Sequence, residues 1–222
     1  MLCRRTLLRL ILSAPLLISA WRVANAAKER SWEAAIAKFE EADKAQLPAP
    51  GGVVFVGGSS IRLWDLKESF PDQTLINRGF GGSQLIDSVH YADRIINKYR
   101  PRLVVVYAGD NDLAAGKSAE QVRDDYRALV AKIHAALPET KIVFLAIKPS
   151  IARAKLIETQ KKTNQMIADD IARNPRLVFL DVGTPLLDAD GKPRPELFVK
   201  DGLHLSKAGY EIWTGLVAPL LK

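Results

Sequence analysis

Five short apolar runs punctuate this chain, at residues 53–56, 74–77, 103–107, 141–147 and 177–182, and the stretches between them carry apolar residues at helical spacing. The spacing predicts helices over 83–99, 118–137, 154–173 and 205–221. Pro101 ends the first, and Ser118 with Gln121 three residues later opens the second as a capping box before Pro138 stops it. A further helix is expected over 31–46, with Ser31 as its N-cap and "LPAPGG" breaking it. Strand alternating with helix is the pattern of a parallel sheet covered on both faces. The expected fold class is therefore α/β: a three-layer sandwich around a five-stranded parallel sheet. Crossovers in such a sheet are right-handed, and ligands sit outside the carboxyl ends of the strands. The residues just after each strand are the ones to inspect.

The N-terminus carries a different kind of signal. Arg4, Arg5 and Arg9 form a positive region, "LILSAPLLISAW" an apolar one, and Ala24-Asn25-Ala26 a small-x-small cleavage pattern. Residues 1–26 read as a signal peptide and 27–222 as a single domain, which places the protein in the periplasm or outside the cell. The apolar run is shorter than the roughly 20 residues that span a membrane. "RRTLLR" also has the paired arginines of a twin-arginine signal, with Leu7 where Phe is usual. Cleavage removes four of the 32 basic residues and none of the 25 acidic ones, so the charge falls from +7 to +3. No polybasic patch is left to suggest nucleic acid or a membrane as partner. Cys3 is the only cysteine and leaves too, so neither a disulfide nor a thiol nucleophile is expected.

Four of the strand exits are polar or rich in glycine: "GGSS" from Gly57, "RGFGGS" from Arg78, "AGDND" from Ala108, and "DGLHLS" from Asp201. The fold would bring them to one edge. A serine hydroxyl needs a base to take its proton. Of the three histidines, His90 and His134 fall inside helices, and His204 lies in a loop before the last one. Asp201 can fold back onto His204 within one turn, to fix its tautomer and offset its charge. An oxyanion would need preorganised donors. Gly82 offers a backbone N–H, Asn111 a side-chain amide, and Ser59 the N–H at the start of a helix.

These blocks, in this order, resemble those of the SGNH hydrolases, also called the GDSL esterase/lipase family. "FVGGSS" looks like the nucleophile block, "NRGFGGS" is similar to the block of the oxyanion glycine, "GDND" matches Gly-x-Asn-Asp, and "DGLHLSKAGY" is close to the Asp-x-x-His block. The resemblance runs from about Val53 to Tyr210. It implies a flavodoxin-like fold and ester hydrolysis without metal or cofactor. It also implies Ser59 as nucleophile, His204 as base, Asp201 as the orienting acid, and Gly82 and Asn111 as oxyanion donors. Gly58 stands where the family's first block usually has aspartate. "SSIRLW" and "NRGFGGS" together look most like the branch that includes the platelet-activating-factor acetylhydrolase catalytic subunits, which suggests short acyl groups. The substrate expected is a small ester, a lipid or an acetylated glycan. An O-deacetylase of glycans or peptidoglycan would use the same residues, and a flavodoxin-like binding module would use the glycines but leave His204 and Asp201 idle.

Other residues have plainer readings. Ser60 is expected to cap the helix after "GGSS", Asp112 to tie its loop down, and Asp110 to be solvated. Arg62, Trp64 and Arg78 lie near the proposed site in sequence and are candidates for the substrate pocket, beside surface or packing roles at least as ordinary. "DADGKP" lacks the third acid and distal glutamate of a calcium loop and reads as a turn. The histidines have no metal-ligand spacing.

Overall fold

The computed structural model describes residues 32–222. The expected signal peptide and the Ser31 cap lie outside them. Helix α1 covers 32–45. There follow β1 (Val53–Gly57), two short helices α2 (Ser59–Arg62) and α3 (Leu66–Ser69), β2 (Leu75–Gly79), α4 (Leu85–Ile95) and β3 (Leu103–Tyr107). The chain continues through α5 (Asp110–Ala114), α6 (Ala119–Ala136), β4 (Lys141–Leu145), α7 (Ile157–Ile171), β5 (Leu177–Leu180) and α8 (Lys207–Val217). The sheet order is β2-β1-β3-β4-β5, and every pairing is parallel. This is the flavodoxin-like doubly wound order, in which the strand order reverses between β1 and β3.

β1 and β3 are buried at every position, which explains their unbroken apolar sequence: each face meets a helical layer. Val53, Phe55, Val105, Val143 and Leu145 point into a core with Trp64, Trp213 and Val217. Their odd–even neighbours face the other layer, where Phe144 meets Tyr126 of α6 at 5.0 Å between ring centroids. Trp64 is central to the first layer, packing on Phe55 and Trp213 at 5.5 Å each. Truncating such a buried tryptophan costs about 3–5 kcal/mol.

The helices differ from their expected spans for local reasons. Gln84 and Asp87 form a reciprocal cap, so α4 starts at Leu85 rather than at Ser83. Ser206 accepts from the Gly209 N–H, which sets the start of α8 at Lys207. β4 ends two residues early. The Asn164 side chain then takes over the role of a neighbouring strand, bonding Ile147 at both its N–H (2.8 Å) and its carbonyl (2.9 Å). The segment leaving β4 is thus held by a side chain from α7. No described helix is long and apolar enough to cross a membrane.

Candidate active site

The reversal point between β1 and β3 is where the site forms. β1 ends at Gly57 with φ +141°, and a Cβ there would lie 1.9 Å from the Tyr107 carbonyl oxygen. Only glycine lets the two central strands stay paired at this end while the chain turns. Gly58 then donates to the same carbonyl at 3.2 Å, and α2 begins at Ser59. Gly58 itself is the N-cap and supplies no side-chain acceptor. The Ser59 N–H therefore meets no acceptor among the described residues. Ser60 is not the expected cap. It lies inside α2, buried, and its carbonyl accepts from the Tyr210 hydroxyl at 2.8 Å. That bond fastens α8 to the start of α2, and Trp213 ties α8 to the segment after β5 by donating to the Val182 carbonyl at 3.0 Å.

The loop before α8 carries Asp201 and His204. Asp201 accepts from the backbone N–H groups of Leu203 (2.8 Å) and His204 (2.9 Å) through one oxygen. Its other oxygen lies 2.6 Å from His204 Nδ1. His204 Nε2 lies 2.8 Å from Ser59 Oγ. Burial works against the charge on Asp201, but the His204 ring and these two N–H groups bond the carboxylate and hold its pKa down to about 2. An ionised carboxylate only accepts. Nδ1 therefore carries the ring proton, and Nε2 is left with its lone pair facing the serine hydroxyl.

The opposite wall comes from the exits of β2 and β3. Gly82 adopts φ +80°, and its N–H has no acceptor among the described residues. Asn111 is half-buried in the first turn of α5; its Nδ2 donates to the Ser83 carbonyl at 3.0 Å and its Oδ1 accepts from Arg153 at 2.8 Å. One hydrogen of Nδ2 is thereby left for another acceptor. A Cβ on Gly58 would lie 3.1 Å from that nitrogen, so the residue that departs from the usual aspartate also leaves room around Asn111. Asp112 does tie the loop down: it is fully buried, accepts from the Leu85 N–H and pairs with Lys117 at 2.8 Å.

A further expectation needs correction. Asp110 is buried, not solvated, and pairs with Arg153 at 2.9 Å. Of the roles open to Arg78, the one observed is packing: it is buried. It donates to Tyr99 Oη at 2.7 Å and to Asp43 at 2.6 Å, with its guanidinium over the Phe39 and Tyr99 rings at 4.9 Å each. Arg62 is exposed and its Nε lies against Gly81, over the turn that holds Gly82. Beside the site, Leu63, Trp64, Val199, Leu205, Lys207 and Tyr210 line a groove of about 560 Å³. Neither Ser59 nor His204 lines it, although Leu205 adjoins His204 in sequence.

Two residues after β4 escaped the sequence reading. Lys148 is buried between the Tyr107 and Phe198 rings and donates to the Leu203 carbonyl at 2.7 Å. Burial pushes its pKa down to about 8, with the Asp110 charge opposing. Arg153 grips Asn111. The available signal was position: "IKPSIAR" is a strand exit like the other four, and a lysine so close behind an apolar run is a candidate for burial.

Residues 60–212 match the GDSL-like lipase/acylhydrolase family. The chain belongs to it. Among relatives of this acylhydrolase, the bovine (Bos taurus) platelet-activating factor acetylhydrolase IB subunit alpha1 is 31% identical over 170 residues, covering 71% of this chain and 69% of the relative. A GDSL-like lipase from Bacteroides thetaiotaomicron superposes with a TM-score of 0.69 at 21% identity, covering 84% of this chain and 98% of that one. An acetylxylan esterase from Geobacillus stearothermophilus superposes at 0.62 and 14% identity, covering 78% and 95%. These likenesses agree on the fold, and the family makes the protein an ester-cleaving hydrolase.

Proposed function

We propose that this acylhydrolase is an exported serine esterase that works through an acyl-enzyme on Ser59. The observation that carries the reading is the unbroken chain from Ser59 Oγ through His204 to Asp201, at 2.8 and 2.6 Å. Ser59 Oγ attacks the ester carbonyl carbon as His204 Nε2 takes the hydroxyl proton. Asp201 holds the ring and offsets the charge it gains. The oxyanion receives the N–H groups of Ser59 and Gly82 and the uncommitted Nδ2 hydrogen of Asn111. α2 has one turn only, so the Ser59 N–H acts as a local donor rather than as the end of a macrodipole. The intermediate then expels the alcohol, which leaves with the proton from Nε2. Water, deprotonated by the same nitrogen, attacks the acyl carbon and frees the acid, and the proton returns to Oγ.

Export rests on the leader-like residues 1–26. A short acyl group is favoured because the bovine relative is named an acetylhydrolase. The test is hydrolysis of p-nitrophenyl acetate, with Ser59→Ala expected to lose nearly all of the rate; hydrolysis at the wild-type rate would sink the assignment. A series of acyl lengths, together with acetylated sugars, then separates a small-ester hydrolase from a glycan O-deacetylase.

A further inference from the structure

We propose that Arg153 is a positioning residue of the oxyanion hole. It fixes which face of the Asn111 amide meets the reacting carbonyl, and it strengthens the N–H presented there. The inference rests on the reading of Ser59 as nucleophile and Asn111 as oxyanion donor.

An asparagine amide can turn over, exchanging its oxygen and nitrogen, and only one orientation donates to an oxyanion. Two contacts decide between them. Arg153 Nη2 lies 2.8 Å from one end and the Ser83 carbonyl oxygen 3.0 Å from the other. A guanidinium only donates and a carbonyl only accepts. Turned over, the amide would set donor against donor and acceptor against acceptor. The observed orientation leaves one Nδ2 hydrogen free. The guanidinium charge held against the amide oxygen also draws electron density from the nitrogen, which makes that hydrogen a better donor.

Arg153 is itself held. Its Nη1 pairs with Asp110 Oδ2 at 2.9 Å, and Asp110 Oδ1 accepts from the Asn111 backbone N–H at 2.8 Å. The arginine thus closes a ring that returns to the residue it orients. The two charged side chains are 16% and 9% exposed, so water competes weakly here; Nη1 makes no aligned hydrogen bond, and its hold on Asp110 is that of an ion pair. The turn that carries Arg153 is also fastened to the segment of Asp201 and His204, because Ala152 N–H donates to the Gly202 carbonyl at 3.0 Å. One loop therefore sets the amide and braces the base, and it keeps the two halves of the site in register. The function needs the planar fork of an arginine; a lysine is a single point donor that can keep Asp110 paired but not hold Asn111 as well.

The experiment measures kcat and KM on p-nitrophenyl acetate for Arg153→Lys, with and without Asn111→Ala. Rates are referred to active sites counted by fluorophosphonate titration, so that misfolded protein does not count. Losing a charge-assisted hydrogen bond that acts in the transition state should lower kcat by about ten-fold with KM little changed. On the Asn111→Ala background the same substitution should change kcat by less than about two-fold, because its effect passes through that amide. An undiminished kcat in Arg153→Lys, or an equal loss with and without Asn111, would overturn the proposal. Ser59→Ala is assayed alongside. If it keeps wild-type activity, the nucleophile reading fails and this inference with it; if it is inactive while Arg153→Lys is unimpaired, the arginine's role alone is lost.

Discussion

Arg78 and Arg153 each bridge a buried carboxylate and a second polar group, Asp43 and Tyr99 in the first case, Asp110 and Asn111 in the second. Around Arg78 the bonding closes on itself. Tyr99 donates to Asp43, and Lys98 pairs with Asp43 from outside. Burial opposes the charge on Asp43, but Lys98, Tyr99 and Arg78 together hold its pKa below the usual carboxylate range. Around Arg153 the network ends on an amide that keeps one hydrogen uncommitted, and the N–H groups of Ser59 and Gly82 likewise meet no acceptor among the described residues. A closed polar cluster ties elements together, here α1 to β2. An open one leaves a donor for something else to meet, and in the proposed mechanism that is the substrate at Ser59. What separates the two arginines is the valence left over, not their charge.

That contrast can be broken from the open side first. Asn111→Ala should lower kcat by about 10²–10³ with a smaller change in KM, as expected for a donor used mainly in the transition state; steady-state kinetics on p-nitrophenyl acetate check it. From the closed side, Arg78→Met leaves the Asp43 carboxylate buried with less compensation. Urea unfolding should show a loss of about 3 kcal/mol, while kcat per folded molecule stays at the wild-type value. A fall in kcat there would return Arg78 to the pocket. The smallest effect concerns Asp201. Its pKa, about 2 against an ordinary 3.8, means the folded state holds it ionised more readily than the unfolded chain does. The stability this contributes is complete above about pH 4 and is lost as pH falls through about 2. Asp201→Asn should therefore have a flatter stability profile between about pH 4 and pH 2. The difference should be small, because the side chain is 47% exposed and water screens it. Parallel profiles would contradict the bonding described.

The strand exits were legible because they are local. Gly57 is demanded by the close approach of Tyr107, and the break from an apolar run to glycine and serine shows in the letters. The His204–Asp201 pair was legible because three residues span one turn. The partners of Arg78 and Arg153 were not. Asp43 lies 35 residues before Arg78, and Asn111 lies 42 before Arg153. Those distances are closed by the packing of α1 and by the turn after β4, for which no periodicity speaks. Asp110 was misjudged for the same reason: its burial depends on an arginine that only the fold delivers. The Ser60 cap failed more locally, since Gly58 took the cap position with nothing but its backbone.

In the proposed mechanism Ser59 is the residue that is acylated. Treating the purified protein with a fluorophosphonate and mapping the adduct by peptide mass spectrometry tests it directly. One equivalent of label is expected, on Ser59, with hydrolytic activity falling in step as it accumulates. Label on Ser60 or another residue, or full activity with Ser59 modified, would contradict it.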